Sequence, residues 1–289
     1  MTPKSLPKIA FTYWSGDQLS YLHLLTIKSV HFFNPDTKII IYTNKKTNAQ
    51  ITWTTGEHSV LYKKVYSLDV FNNIPNVEII EIDIQKYLNT DTVFSDVHCA
   101  DFVRIWKLFE HGGIWFDMDI LFLKPFWRRD DVILPAPYLT ATMKSAVAVD
   151  IWTGFLISYP QAPFLSTILK SARHTLQTTK PQNLTYQHIG PYLWTEEMKK
   201  SPESVYLLNS ALLYPYEYYE LNELFDHSSA KQRVTDKVIG IHWFNGAPDV
   251  RSFLQKHIHI SQIHNPKTIL EVELKRLFEL GVFQEHDLL

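Results

Sequence analysis

Ala100-Asp101-Phe-Val-Arg104, seven residues, and then Gly112-Gly113-Ile-Trp-Phe-Asp117-Met-Asp119-Ile-Leu-Phe-Leu123 is the stretch that decides how the rest of this 289-residue chain is read. Residues 114–123 are apolar apart from two carboxylates one residue apart. Burying an unpaired ionised group costs several kcal/mol, so Asp117 and Asp119 need compensation. If a strand continues through them, its period of two puts both on one face. There their charges repel unless a cation lies between them or one takes up a proton. A hard divalent ion bound through oxygen meets that need. A strand that stops near Phe116 would instead leave both in a turn. Just upstream, His98 to His111 reads as a helix, with Phe102, Ile105, Trp106 and Phe109 repeating on one face and Gly112-Gly113 as its stop. Asp101 and Arg104 project together from another face, as a surface ion pair or as part of a site.

Working outward, Lys8 to Trp14 predicts a first buried strand, and Ser15-Gly16-Asp17 turns into a helix over Gln18 to Phe33 that Asn34-Pro35-Asp36 stops. Lys38 to Tyr42 and Val77 to Ile82 predict two more strands. This rhythm argues for an α/β sheet with parallel members. Ligands of such sheets bind beyond the carboxyl ends of the strands, which makes Tyr13-Trp14 a neighbour of Asp117 and Asp119. A Trp there either stacks on a nucleotide base or packs in the rim. A strand or hairpin is expected within Ile51 to Tyr66, a solvated loop at Arg128-Arg129-Asp130-Asp131, and a strand pair or bent strand over Ala146 to Ser158. Gln161 to Thr178 and Thr268 to Leu280 predict helices, the latter closed by Gly281. Val205 to Asn209 and Ala211 to Pro215 read as extended. Asp226 to Lys237 is the most polar stretch, a candidate lid or an inert loop. Val238 to Trp243 reads as a short strand. His257, His259 and His264 have no acidic partner nearby and read as surface residues.

The composition, 45% hydrophobic and 14% aromatic, supports one substantial core. A formal charge of −2 offers no basic stripe for nucleic acid. One cysteine, Cys99, excludes an internal disulfide and fits a reducing compartment. The N-terminal residues lack the apolar block of a signal peptide, and no apolar run reaches the length of a membrane span. A cytoplasmic protein without an integral membrane segment is expected. None of the nine glycines forms a Gly-x-Gly-x-x-Gly or Walker loop, so a metal ion rather than backbone amides is the expected phosphate cradle.

The unit Ala-Asp101-x-x-Arg104 with Gly112-Gly113-Ile-Trp-x-Asp117-x-Asp119 resembles the signature of the family-32 glycosyltransferases, the group with the DXD sugar-binding region, and the same spacing occurs in the glucosylating clostridial toxins. The resemblance implies a single GT-A type domain over residues 1–289, a Rossmann-like mixed sheet flanked by helices. Residues 1–125 would be its nucleotide-sugar half and residues 126–289 its acceptor-side half. It implies transfer of a hexose from a nucleoside-diphosphate sugar, UDP favoured over GDP-mannose, to a glycan or other hydroxyl acceptor, with retention of configuration. The resemblance brings His242 back to the metal and diphosphate, and Asp117, Asp119 and His242 would ligate Mn²⁺ or Mg²⁺. Asp117, Asp119 and Arg104 would be catalytic. Tyr13, Trp14, Asp101, Arg104, Asp117, Trp243 and Gly246 would bind the donor. Trp152-Thr153-Gly154-Phe155 aligns with a segment near the donor sugar, where Thr153 replaces a common Asn. Gly190-Pro191 resembles the family's helix start. Tyr214, Tyr216, Tyr218 and Tyr219 either line an acceptor groove or simply pack. Two other readings remain open at this point: a catalytically weak sugar- or nucleotide-sugar-binding protein of the same fold, and a DxD phosphatase.

Overall fold

The computed structural model describes residues 6–16, 18–44, 65–127, 139–143, 151–225, 232–254 and 260–288, with only the backbone path for 139–143. The 51–64 stretch, Arg128–Asp131, Ala146–Asp150, the first part of the polar 226–237 stretch, His257 and His259 lie outside the described residues.

In chain order the elements are β1 (Ile9–Tyr13), α1 (Tyr21–Phe33), β2 (Lys38–Asn44), β3 (Val77–Ile82), α2 (Ile84–Leu88), α3 (Asp96–His111), β4 (Gly113–Phe116), β5 (Ile120–Phe122), β6 (Leu139–Met143), β7 (Ile151–Ser158), α4 (Pro163–Thr178), α5 (Pro191–Lys200), β8 (Val205–Leu208), α6 (Leu221–Phe225), β9 (Gly240–His242), α7 (Pro248–Leu254), α8 (Ile260–His264) and α9 (Ile269–Glu279). Seven strands form one mixed sheet in the order β3-β2-β1-β4-β7-β6-β8. Within it β7 alone runs against its neighbours. Side chains alternate between two apolar cores. Ala10, Ile39, Ile41, Ile114 and Phe116 join α1 and the C-terminal helices, while Phe11, Ile40, Tyr42 and Trp115 join α3, α4 and α5. A strand buried on both faces is what near-continuous apolar runs such as Ile9–Tyr13 encode.

The first helix begins at Tyr21 rather than Gln18, because Ser20 is its N-cap and bonds His23. Helix α3 is capped by Ser95, whose side chain accepts from the His98 N–H. It ends at Gly112 (φ 67°), and Gly113 has φ 99°. A Cβ on Gly113 would lie 2.4 Å from the Ile9 carbonyl oxygen, so only glycine lets β4 start this close against β1. Helix α9 carries a capping box: Thr268 accepts from the Glu271 N–H and Glu271 accepts from the Thr268 N–H.

Of the two paths open to the central strand the shorter is found, and one later segment differs from expectation. The central strand does not run through Asp117 and Asp119. It stops at Phe116, Asp117 N–H makes one more ladder bond to Gly154 (2.8 Å), and Ile120 N–H then bonds the Asp117 carbonyl (3.2 Å), closing a turn. The next apolar residues leave the main sheet as β5, which pairs antiparallel with β9, Ile120 opposite His242. The Ala211–Pro215 segment is not extended at its start: Asn209 caps a 3₁₀ turn over Ser210–Leu212, accepting from the Ala211 N–H (2.9 Å). No helix of the described residues is long and apolar enough to cross a membrane.

Candidate active site

Parallel strands β1 and β4 lie side by side, so their carboxyl ends open into one cavity of about 960 Å³. The turn after β4 and the end of β9 meet there. One oxygen of each aspartate is committed to the protein and the other faces His242. Asp117 Oδ1 accepts from Trp115 Nε1 (2.8 Å) and Arg104 Nη2 (3.0 Å), and its Oδ2 lies 3.8 Å from His242 Nε2. Asp119 Oδ2 accepts from the Asn245 N–H (2.9 Å), and its Oδ1 lies 3.2 Å from His242 Nε2. One ligand atom from each of Asp117, Asp119 and His242 lies within 4.8 Å of the other two.

The charges of this cluster are unevenly compensated. Burial works against the Asp117 charge, but Arg104 and then His242 hold its pKa below the ordinary carboxylate value. For Asp119 burial prevails over the pull of His242, Asp117 adds repulsion, and the pKa rises. Burial opposes the imidazolium too, yet the two carboxylates hold His242 above its usual value. Two carboxylate oxygens and an imidazole nitrogen, one carboxylate short of positive charge, suit a divalent cation with mixed oxygen and nitrogen ligation.

Arg104 organises the next layer. Its Nη1 donates to Thr153 Oγ1 and lies 3.3 Å from Asp101 Oδ1, its Nη2 takes Asp117, and the guanidinium carbon sits 5.2 Å from the centre of the Trp115 ring. Both charged partners on α3 are buried, Asp101 at 4% and Arg104 at 6% exposure, so this is not a surface ion pair. Burial lifts the Asp101 carboxyl to about 7 against the pull of Arg104. A Cβ on Gly190, the residue before α5, would lie 2.4 Å from Asp101 Oδ2, which seats that carboxylate against the start of the helix.

Of the residues singled out from sequence, Tyr13, Trp14, Asp101, Arg104, Asp117, Asp119, His242 and Gly246 line the one cavity. Trp243 does not. It is fully buried and meets His23 edge-on, with ring centroids 5.0 Å apart. The alternation at the end of β9 explains this, since it sends His242 to the cavity and the next side chain into the core. Tyr216 is buried too; Tyr214 is buried but lines the cavity, stacked on His242 with ring centroids 5.0 Å apart, and Tyr218 and Tyr219 line it as exposed side chains.

Other cavity residues carry weaker signals in the sequence. His23 is held by Ser20 through its Nδ1, lies 4.4 Å from the Trp14 ring, and is kept neutral by burial, its pKa pushed down to about 3. Ser20-x-x-His23 is a capping-box spacing with His in place of Glu, and that was its only local signal. Trp115 orients Asp117 from two residues back on one strand face, a relation the Trp-x-Asp spacing did encode. At Gly154 a Cβ would stand 2.9 Å from Asp117 Oδ2 and 2.7 Å from the Tyr214 hydroxyl. Gly154→Ala is expected to push the Asp117 carboxylate off its position and lower kcat about 10²-fold, since displacements near 1 Å have that effect. The change in melting temperature should be small, because the colliding atoms are side-chain ends. Turnover within threefold of wild type would mean that the position of Asp117 does not matter.

The mixed sheet and its flanking helices are of the GT-A type, the fold of glycosyltransferases. Residues 21–139, which contain Asp101, Arg104 and both aspartates, match the family described as "Glycosyltransferase sugar-binding region containing DXD motif". Among solved structures, the PaToxG glycosyltransferase is similar at 17% identity, over 70% of this chain and 72% of that one, with a TM-score of 0.50. The glycosyltransferase GlyE of Streptococcus pneumoniae TIGR4 is similar at 12% identity, over 97% of this chain and 66% of that one, also with a TM-score of 0.50. At these identities the likeness is one of fold. No curated protein matches the chain in sequence.

Proposed function

We propose that the protein is a metal-dependent, retaining hexosyltransferase that takes a sugar from a nucleoside diphosphate, UDP in preference to GDP, and passes it to a hydroxyl acceptor. The observation that carries this reading is the convergence of Asp117 Oδ2, Asp119 Oδ1 and His242 Nε2, each carboxylate being anchored by its other oxygen. These three atoms would hold Mn²⁺ or Mg²⁺. Such an ion, when bound, stabilises the negative charge that grows on the departing diphosphate. Arg104 fixes the orientation of Asp117 and adds positive field beside it, and its Nε–H is buried without a partner among the described residues. Asp101 reaches the same cavity, where a carboxylate can accept from sugar hydroxyls. Trp14 offers its ring at the cavity wall to the base, braced by His23. Retention, and the division into a donor half at 1–125 and an acceptor half at 126–289, follow from the family resemblance. The buried Cys99 fits a reducing, cytoplasmic setting.

Nucleotide release from a panel of UDP- and GDP-sugars tests the proposal. The expected result is release from one donor with Mn²⁺ present, stopped by EDTA and restored by excess Mn²⁺. Release that is indifferent to EDTA would overturn the metal. Binding of a nucleotide sugar with no turnover under any condition would make the protein a binding module of this fold.

A further inference from the structure

The rim of the cavity carries a feature that donor chemistry does not use. Tyr219 is the most exposed large apolar side chain among the described residues, at 76%, and Tyr218 beside it is 45% exposed. Both line the cavity mouth with Glu217. Two adjacent aromatic rings left in water on a loop are costly unless something covers them in use.

These rings are nevertheless held in place. They belong to a 3₁₀ turn, Tyr218–Glu220, that is tied down from both ends. Glu220 Oε2 accepts from the Glu217 N–H (3.1 Å) and from Arg233 Nη1 (2.6 Å). Arg233 Nη2 forks onto both oxygens of Glu223 (3.0 Å each), and the Arg233 N–H bonds the Tyr216 hydroxyl (3.1 Å). The turn is also continuous with the reaction centre. Tyr218 meets the Phe244 ring edge-on at 5.7 Å, and Phe244 lies 4.1 Å from His242. An exposed aromatic surface fixed by a half-buried salt-bridge clamp is a preorganised platform, because binding there need not pay to order it.

We propose that Glu217, Tyr218 and Tyr219 form an acceptor subsite for a pyranose ring, which makes the acceptor a carbohydrate. The apolar C–H face of the sugar lies on the tyrosine rings and its hydroxyls reach the Glu217 carboxylate and the tyrosine hydroxyls. A carboxylate among aromatic faces suits a neutral polyol, with apolar ring faces and hydroxyl donors at its edge, better than an acidic or purely apolar partner. The Glu217 carboxylate already acts on this group, holding the Tyr219 hydroxyl above its ordinary pKa. The idea rests on the transferase reading above for what the bound sugar receives.

The test uses the whole chain with UDP and Mn²⁺ on an immobilised panel of neutral hexopyranosyl oligosaccharides. Wild type is expected to bind at least one of them. Tyr219→Ala should weaken that binding about tenfold and raise the acceptor KM in proportion, as expected for a lost stacking contact. Tyr219→Phe should stay within about threefold, and the melting temperature of both should match wild type. Equal binding by Tyr219→Ala, no binding of any oligosaccharide by wild type, or transfer to a protein hydroxyl with all glycans refused would each overturn the subsite. Glycan binding that is lost in Tyr219→Ala, in a protein that releases no nucleotide from any donor, would uphold the subsite and count against the transferase reading instead.

Discussion

Asp119→Asn is expected to lower turnover at least about 10²–10³-fold while the protein stays folded. The side chains are isosteric, and the Asn245 N–H needs an acceptor at the Oδ2 position. An amide can satisfy it only by turning its oxygen there, which points the NH₂ group at His242 Nε2 in place of Oδ1. One atom of the converging trio then becomes a donor, and a cation is repelled where the carboxylate oxygen would hold it. A melting curve separates this from general damage. Wild type should gain stability with added Mn²⁺ as any ligand that binds only the folded state confers it, while the variant should gain little. Without metal the two should melt within a few degrees of each other, because shape and the backbone bond are kept. Turnover near wild type would remove Asp119 from the mechanism.

Arg104→Ala should cost the most stability, about 3–5 kcal/mol, because it strands two buried carboxylates rather than one. Asp101 and Asp117 both lean on that guanidinium. Losing it raises both carboxyl pKa values. A carboxyl whose folded pKa lies above its unfolded one favours the folded state at low pH and loses that contribution as pH rises through the folded value. Urea titrations should therefore show the deficit widest at pH 8 and narrowing toward pH 5. Arg104→Lys should not restore the wild-type curve, since an ammonium cannot fork among Thr153, Asp101 and Asp117. A deficit below about 1 kcal/mol, or one flat with pH, would mean that the carboxylates find other partners.

Local pattern carried much of the scaffold. β3 spans Val77–Ile82 as its composition suggested, α3 carries its apolar face on Phe102 and Ile105, and Thr268-x-x-Glu271 announces the last helix. The Asp-Arg pair and the Asp-x-Asp also stood out, since charges in apolar surroundings are conspicuous. What periodicity could not reveal was the break inside Ile114–Leu123. An apolar run looks the same whether it stays in one sheet or crosses into another, and the crossing depends on β9, far along the chain. The aspartates do converge, but through a turn and not through the pleat. Trp243 follows His242 directly, yet alternation along the chain sends it into the core, so nearness in sequence to a cavity residue does not bring it to the cavity. Gly154 is placed near the donor sugar by the family resemblance, but its close packing against Asp117 is visible only in the fold.

The bond between Asn245 and Asp119 joins residues 126 positions apart. A contact of such long range forms late, after the loop it closes has been brought together. During synthesis the two acids emerge well before the histidine that faces them. A ribosome-bound chain can therefore shape its parallel strands early yet assembles the corner of Asp117, Asp119 and His242 only after β9 has been made and has docked. Activity should switch on abruptly near the end of folding, and a chain that stalls before residue 242 should be inert even where its first half is well formed.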